Sequence, residues 1–129
     1  QIKIKENKKY DEQIRNRVKS LQKYCFKYKG LVIRPAESSK ELIKEGAALN
    51  HCVATHYTKS YAKGVTNILL IRKEEEPNKP YYTVEIRNNN IIQVHGKGNC
   101  IANNEVKEFI EVFKESKLKQ KNRNISKSA

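Results

Sequence analysis

The sequence predicts an α+β domain: a small antiparallel sheet of three to four strands with helices packed on one face, the N-terminal and C-terminal helices flanking it. Three observations predict it. Apolar residues recur at steps of three and four from Tyr10 to Tyr28 and again from Val106 to Phe113, the spacing of one buried helix face. Between them lie runs rich in β-branched and aromatic residues, LVIRP, VTNILLIRK, YYTVEIR and IIQVHGKGN. The last two alternate apolar with polar residues, as a half-buried sheet requires.

The first helix carries Tyr10, Ile14, Val18, Leu21, Cys25 and Tyr28 in one stripe, with Lys and Arg opposite and Gly30 as a C-terminal stop. LVIRP reads as a short strand halted by Pro35, which cannot donate to a ladder and so favours an edge or an end, and the strand is expected to join the sheet as its edge. Ser38 and Glu41 stand at capping-box spacing, so a second helix begins near Ser39 with Leu42 and Ile43 turned inward. Gly46 interrupts it, as a close-packed point or the start of a break, and the helix resumes from Ala47 through Val53. VTNILLIRK, following Gly64, is apolar enough to lie centrally, covered on both faces.

EEEPNKP is a charged, proline-broken loop. After it, Val84 and Ile86 share a face with Ile92 and Val94 if Arg87 pairs with Ile91 around a three-residue Asn loop. That register sets Glu85 opposite Gln93 and Thr83 opposite His95. The glycine-rich GKGN ends the strand, and Asn103 or Asn104 caps a last helix bearing Val106, Phe109, Ile110 and Phe113.

At 129 residues with 37% hydrophobic side chains, the chain suits one compact core. Its net charge of +13 is unevenly placed. Residues 1–29 hold ten basic and three acidic groups, residues 30–112 eleven and ten, and residues 113–129 six and one. The chain therefore divides into a basic N-terminal helix (1–29), an α+β core (30–113) and a basic, weakly apolar tail (114–129) expected to be disordered. Basic flanks around a balanced core point to nucleic acid, RNA or DNA, bound through phosphate contacts. No apolar run approaches the roughly 18 residues of a membrane span, and no signal-peptide core is present, so a soluble, cytoplasmic protein is expected. Cys25, Cys52 and Cys100 are too few and too scattered for a disulfide framework or a zinc ribbon. Methionine is absent throughout, which suggests a piece of a longer polypeptide.

The chemistry concentrates in Glu45 to Tyr57, EGAALNHCVATHY, where His51, His56 and Tyr57 break an apolar helical pattern. Its complement is the polar face of the hairpin, Thr83, Glu85, Gln93 and His95. If the two meet, His51, Glu85, Tyr57 and Gln93 form a catalytic group. Glu45, Thr83, His95, Lys97 and Asn99 are then binding residues around it. RNA would bring its own nucleophile, the 2′-hydroxyl, so neither metal nor cofactor is required. His51 and His56 are five apart and share no helix face, which argues against a metal pair.

These motifs, in this order, resemble the PcfJ-like proteins of conjugative plasmids, phages and related mobile elements. The resemblance runs over most of Leu31 to Phe113, through LVIRP, EGAALNHCVATHY, GVTNILLIR, PYYTVEI and QVHGKGN. It implies a mobile-element context in which the domain ends a larger protein. Glu45, Gly46, His51, Cys52, Tyr57, Gly64, Glu85, Gln93, Gly96 and Asn99 match its pattern.

The function expected is a nucleic-acid-associated domain of a mobile genetic element with metal-independent, RNase-like phosphodiester chemistry. The alternative is a non-catalytic module that docks on nucleic acid or on other transfer or phage proteins. A third class, an ADP-ribosyltransferase-like enzyme, would use His51, Tyr57 or Tyr61, and Glu85.

Overall fold

The computed structural model describes the backbone of residues 2–50 and 53–118 and the side chains of residues 8–50 and 57–118. Helix α1 (Ile2–Leu21) leads through a 3-10 turn at Gln22–Tyr24 into strand β1 (Phe26–Tyr28). Strand β2 (Leu31–Pro35) follows, then helices α2 (Ser39–Leu49) and α3 (Val53–Ala62). Strands β3 (Asn67–Lys73), β4 (Tyr82–Arg87) and β5 (Asn90–His95) complete the sheet, and helix α4 (Asn104–Phe113) closes the fold. The α+β class with its antiparallel sheet and flanking helices is as expected, but the sheet has five strands in the order β1-β2-β3-β4-β5.

The additional strand comes from residues assigned by their spacing to the first helix. Tyr24, Phe26 and Tyr28 leave that helix because rings from both ends of the chain meet there. Phe26 lies 5.7 Å from Phe109 and 6.0 Å from Phe113 between ring centroids, and Tyr24 lies 6.4 Å from Phe113. Gly30 consequently ends no helix. With Lys29 it forms the two-residue turn of a hairpin, both at positive φ (47° and 81°), which glycine adopts without steric cost. The new β1 also moves LVIRP from the edge to the second position, with Pro35 at its end.

Cross-strand partners share a face, so the register sorts the sheet into two sides. One side holds Phe26, Ile33, Ile71, Val84 and Ile86 and packs on Phe109 and Phe113 of α4. The other holds Arg34, Leu70, Arg72, Thr83 and Glu85 and meets α2 and α3. Helices thus cover both faces rather than one. The apolar stripes of α2 and α4 need separate partners, and a sheet with two buried faces supplies them. Helix α1 packs against α2 and α3, and its Arg17 donates to the Tyr61 and Thr66 carbonyls and to Asn67 Oδ1.

Ser38 caps α2 as its spacing predicts, its hydroxyl accepting from the Glu41 amide at 3.0 Å. Glu41 completes no capping box. Its carboxylate takes the Glu37 amide and a bidentate pair with Arg34. Gly46 is buried within an unbroken helix, and the stop lies at Asn50, whose left-handed backbone sends its N–H to the Gly46 carbonyl. Leu42 is fully buried while Ile43 is 51% exposed, one position too far round the helix.

The β4–β5 hairpin turns through two residues, not three. Asn88 and Asn89 both have positive φ, the geometry of a type I′ turn. Arg87 therefore pairs with Asn90, and a β-bulge beside Glu85 and Ile86 absorbs Ile92, which is 52% exposed instead of inward. Beyond the bulge the expected register holds, with Glu85 opposite Gln93 and Thr83 opposite His95. Asn103 caps α4, and the helical path continues as a π turn over Lys114–Leu118. There Leu118 is buried and its carbonyl accepts from Asn89 Nδ2 at 2.9 Å, so the ordered chain extends past residue 114.

Candidate functional site

Glu85 projects from β4 toward α3 and is 3% exposed. Three donors hold its carboxylate: Thr66 Oγ1 at 2.6 Å and Arg87 Nε at 2.9 Å on one oxygen, Gln93 Nε2 at 3.1 Å on the other. Gln93 reaches it because the register places the two residues side by side on one sheet face. The same Gln93 nitrogen donates to the Tyr57 hydroxyl of α3 at 3.2 Å. An amide nitrogen has two protons, so one links Glu85 and the other Tyr57. Tyr57 accepts this bond, so its own proton points away from Gln93.

The carboxylate, the amide and the phenol thus form one chain from the buried centre of β4 to a half-buried helix position. Three of the four expected catalytic residues meet in it. The fourth, His51, lies outside the described residues, as does Cys52, and the side chain of His56 is likewise outside them. Tyr61 takes no part: it is fully buried and donates to the Ala36 carbonyl at 2.5 Å, and burial pushes its pKa well up against the opposing Arg17 charge.

A second polar group lies beside the first. Glu45 of α2 is fully buried and paired with Arg72 of β3 at 2.6 Å, while Thr83 Oγ1 donates to Glu45 at 2.7 Å. Glu45 and Thr83, expected to contact a ligand, are therefore tied to each other and to Arg72 beneath the surface. Their observed contacts pin α2 to the sheet. His95, opposite Thr83, is half-buried, whereas Lys97 and Asn99 are exposed on the turn that follows β5. That turn depends on Gly96, where a Cβ would stand 2.8 Å from the Tyr82 ring. Among the described residues no group of three or more His, Cys, Asp or Glu side chains is placed to hold a metal ion.

Sequence reading missed Thr66 as a partner of Glu85 and Arg72 as the partner of Glu45, whereas Arg87, two residues along β4 on the same face, was open to it. Arg72 did leave a signal, a cation inside the apolar run NILLIRK, which a covered strand tolerates only with a counter-charge. Thr66 left none, because a single threonine ahead of a strand is ordinary.

The polar chain lies on the motifs EGAALNHCVATHY, PYYTVEI and QVHGKGN. The profile of PcfJ-like proteins matches residues 1–111, α1 included. The chain belongs to the PcfJ-like protein family. It is a PcfJ-like domain of the kind associated with mobile elements. It is also 36% identical over 98 residues to the uncharacterized protein Lin1253/Lin1744 of Listeria innocua serovar 6a (strain ATCC BAA-680 / CLIP 11262). That match covers 75% of this chain and 20% of the relative, so the chain spans about one fifth of the length of that protein. No solved structure matches the chain. Among the described residues no helix is long and apolar enough to cross a membrane.

Proposed function

We propose that this PcfJ-like domain acts on nucleic acid, with the Tyr57–Gln93–Glu85 chain as the part of the domain that meets a phosphodiester. One observation carries the reading: Gln93 spans Glu85 and Tyr57, so a buried carboxylate holds the amide that donates to the phenol oxygen. A proton donor oriented in this way suits the leaving oxygen of an RNA strand whose 2′-hydroxyl attacks the neighbouring phosphorus. The phosphorus–2′-oxygen bond forms as the phosphorus–5′-oxygen bond breaks, the departing oxygen taking the Tyr57 proton. His51, two residues before α3, is the candidate acceptor for the 2′ proton.

In this scheme Glu85 is a positioning residue. Three donors occupy its oxygens and 3% exposure keeps it from substrate, so it orients Gln93 and, through Gln93, Tyr57. The expectation that Glu85 itself takes or gives the proton is replaced by that role.

The test compares a labelled RNA with its DNA copy in the presence of EDTA. The reading expects cleavage of RNA alone, leaving cyclic phosphate and 5′-hydroxyl ends. Equal cleavage of DNA, or cleavage only on adding a divalent metal, contradicts it. The saturation of Glu85 also favours a second reading, a domain that holds RNA without cutting it. Binding with no cleavage in the same assay selects that reading.

A further inference from the structure

The geometry points to a second nucleic-acid contact, a groove on the β2 side of α2 that takes the backbone of a single strand. This inference rests on the reading above and assigns a different surface of the domain. The groove has a volume of about 900 Å³ and runs between α2 and the loop joining β3 to β4, which contributes Asn78 and Pro80. Arg34 and Arg72 line it from the sheet, Lys40 and Lys44 from the helix.

The two arginines are occupied by Glu41 and Glu45. The two lysines are exposed, one helical turn apart on the same side of α2, and neither has an acidic partner among the described residues. Glu37, exposed at one end, is the one lining carboxylate without an ion pair among the described residues. Helix stability does not account for Lys40, because a cation in the first turn opposes the macrodipole.

The shape selects among polyanions. A duplex backbone is convex and is met by a protruding helix or ribbon, whereas a concave channel admits a single strand. Ala47 and Ala48 leave room for sugars beside the helix, and among the described residues no aromatic ring lines the channel on which a base could stack. The contact is therefore with phosphates and blind to sequence.

The experiment measures fluorescence anisotropy of the full chain with twelve-nucleotide oligo(U) and oligo(dT) across a salt series. It compares the parent, K40Q/K44Q and a charge-matched control on α1, K8Q/K9Q. Removing two phosphate contacts makes the slope of log affinity against log salt shallower by about 1.4 for a single strand. The groove assignment expects that change in K40Q/K44Q, a smaller one in the control, and no change in melting temperature. The same slope in K40Q/K44Q and parent, or an equal change in the control, overturns the groove while the nucleic-acid reading stands. No binding by the parent overturns both. Displacement of the oligonucleotide by poly-glutamate at equal charge concentration overturns the choice of a phosphate ligand.

Discussion

Glu45 and Glu85 are both buried carboxylates, and they differ in what compensates their charge. Glu45 faces the nine-tenths-buried guanidinium of Arg72 inside the protein, whereas Glu85 shares a 46% exposed Arg87 with solvent. Burial of the first pair makes it sensitive to loss of one partner. Glu45→Gln leaves Arg72 buried without a counter-charge, and a loss of about 3–5 kcal/mol is expected in urea unfolding. Replacing both as Glu45→Leu with Arg72→Met should recover most of that loss, because neither charge then remains. A cost under about 1 kcal/mol for Glu45→Gln would mean that Arg72 escapes to water. At this scale the sequence was partly legible. The alternation of Thr83, Glu85, Gln93 and His95 predicted their common face, but no pattern shows that Thr66 and Gln93 both point into Glu85.

At the scale of elements, turns decided what periodicity could not. Lys29–Gly30 and Asn88–Asn89 are both two-residue hairpin turns with positive φ. The first lay hidden as a helix stop, because Cys25 and Tyr28 continued the helical spacing of α1. Phe26 meets Ile33 across the ladder and Phe109 and Phe113 from the far end of the chain, contacts that no local spacing records. The second differs from its expected loop by one residue, and the bulge at Ile92 restores the register, which is why the site pairing survived. Asn89 also does more than turn: Oδ1 accepts from Tyr24 and Nδ2 donates to Leu118. Asn89→Gly is therefore expected to destabilise by about 1–2 kcal/mol although glycine suits the turn, while Asn88→Gly is neutral or stabilising. Thermal unfolding of the two variants checks the contrast.

The α2 cap adds a pH dependence. Burial works to raise the Glu41 pKa, but the Arg34 guanidinium and the Glu37 amide outweigh it and hold the group below its ordinary 4.5. A lowered folded-state value favours the folded protein at every pH above the unfolded range. That contribution is lost as pH falls through the folded value. The urea midpoint of the parent should thus drop on acidification below about pH 4.5, and less so in Glu41→Gln. An equal drop in both would remove Glu41 from the acid response.

For the whole molecule, charge and chemistry occupy different places. The core of residues 30–112 is nearly balanced and the flanks are basic, whereas the oriented polar groups lie within the core. Composition made the first legible and gave no access to the second. The flank also begins later than composition indicates. Leu118 is packed against the β4–β5 turn, and a cut that tests the tail belongs after it, where Lys119, Lys121, Arg123 and Lys127 remain. Helices on both sheet faces leave the α2–α3 side as the one where the polar chain and the groove lie, on opposite flanks of α2.

Tyr57→Phe tests the central claim most directly, because it removes one hydroxyl from the end of the chain and leaves the ring in place. RNA cleavage and RNA affinity of this variant are to be measured beside its melting temperature. A melting temperature within about 5 °C of the parent is expected, with at least one of the two RNA readouts reduced about tenfold or more. Parent-like cleavage and affinity in a folded Tyr57→Phe protein would contradict it, and the Tyr57–Gln93–Glu85 chain would then serve the fold alone.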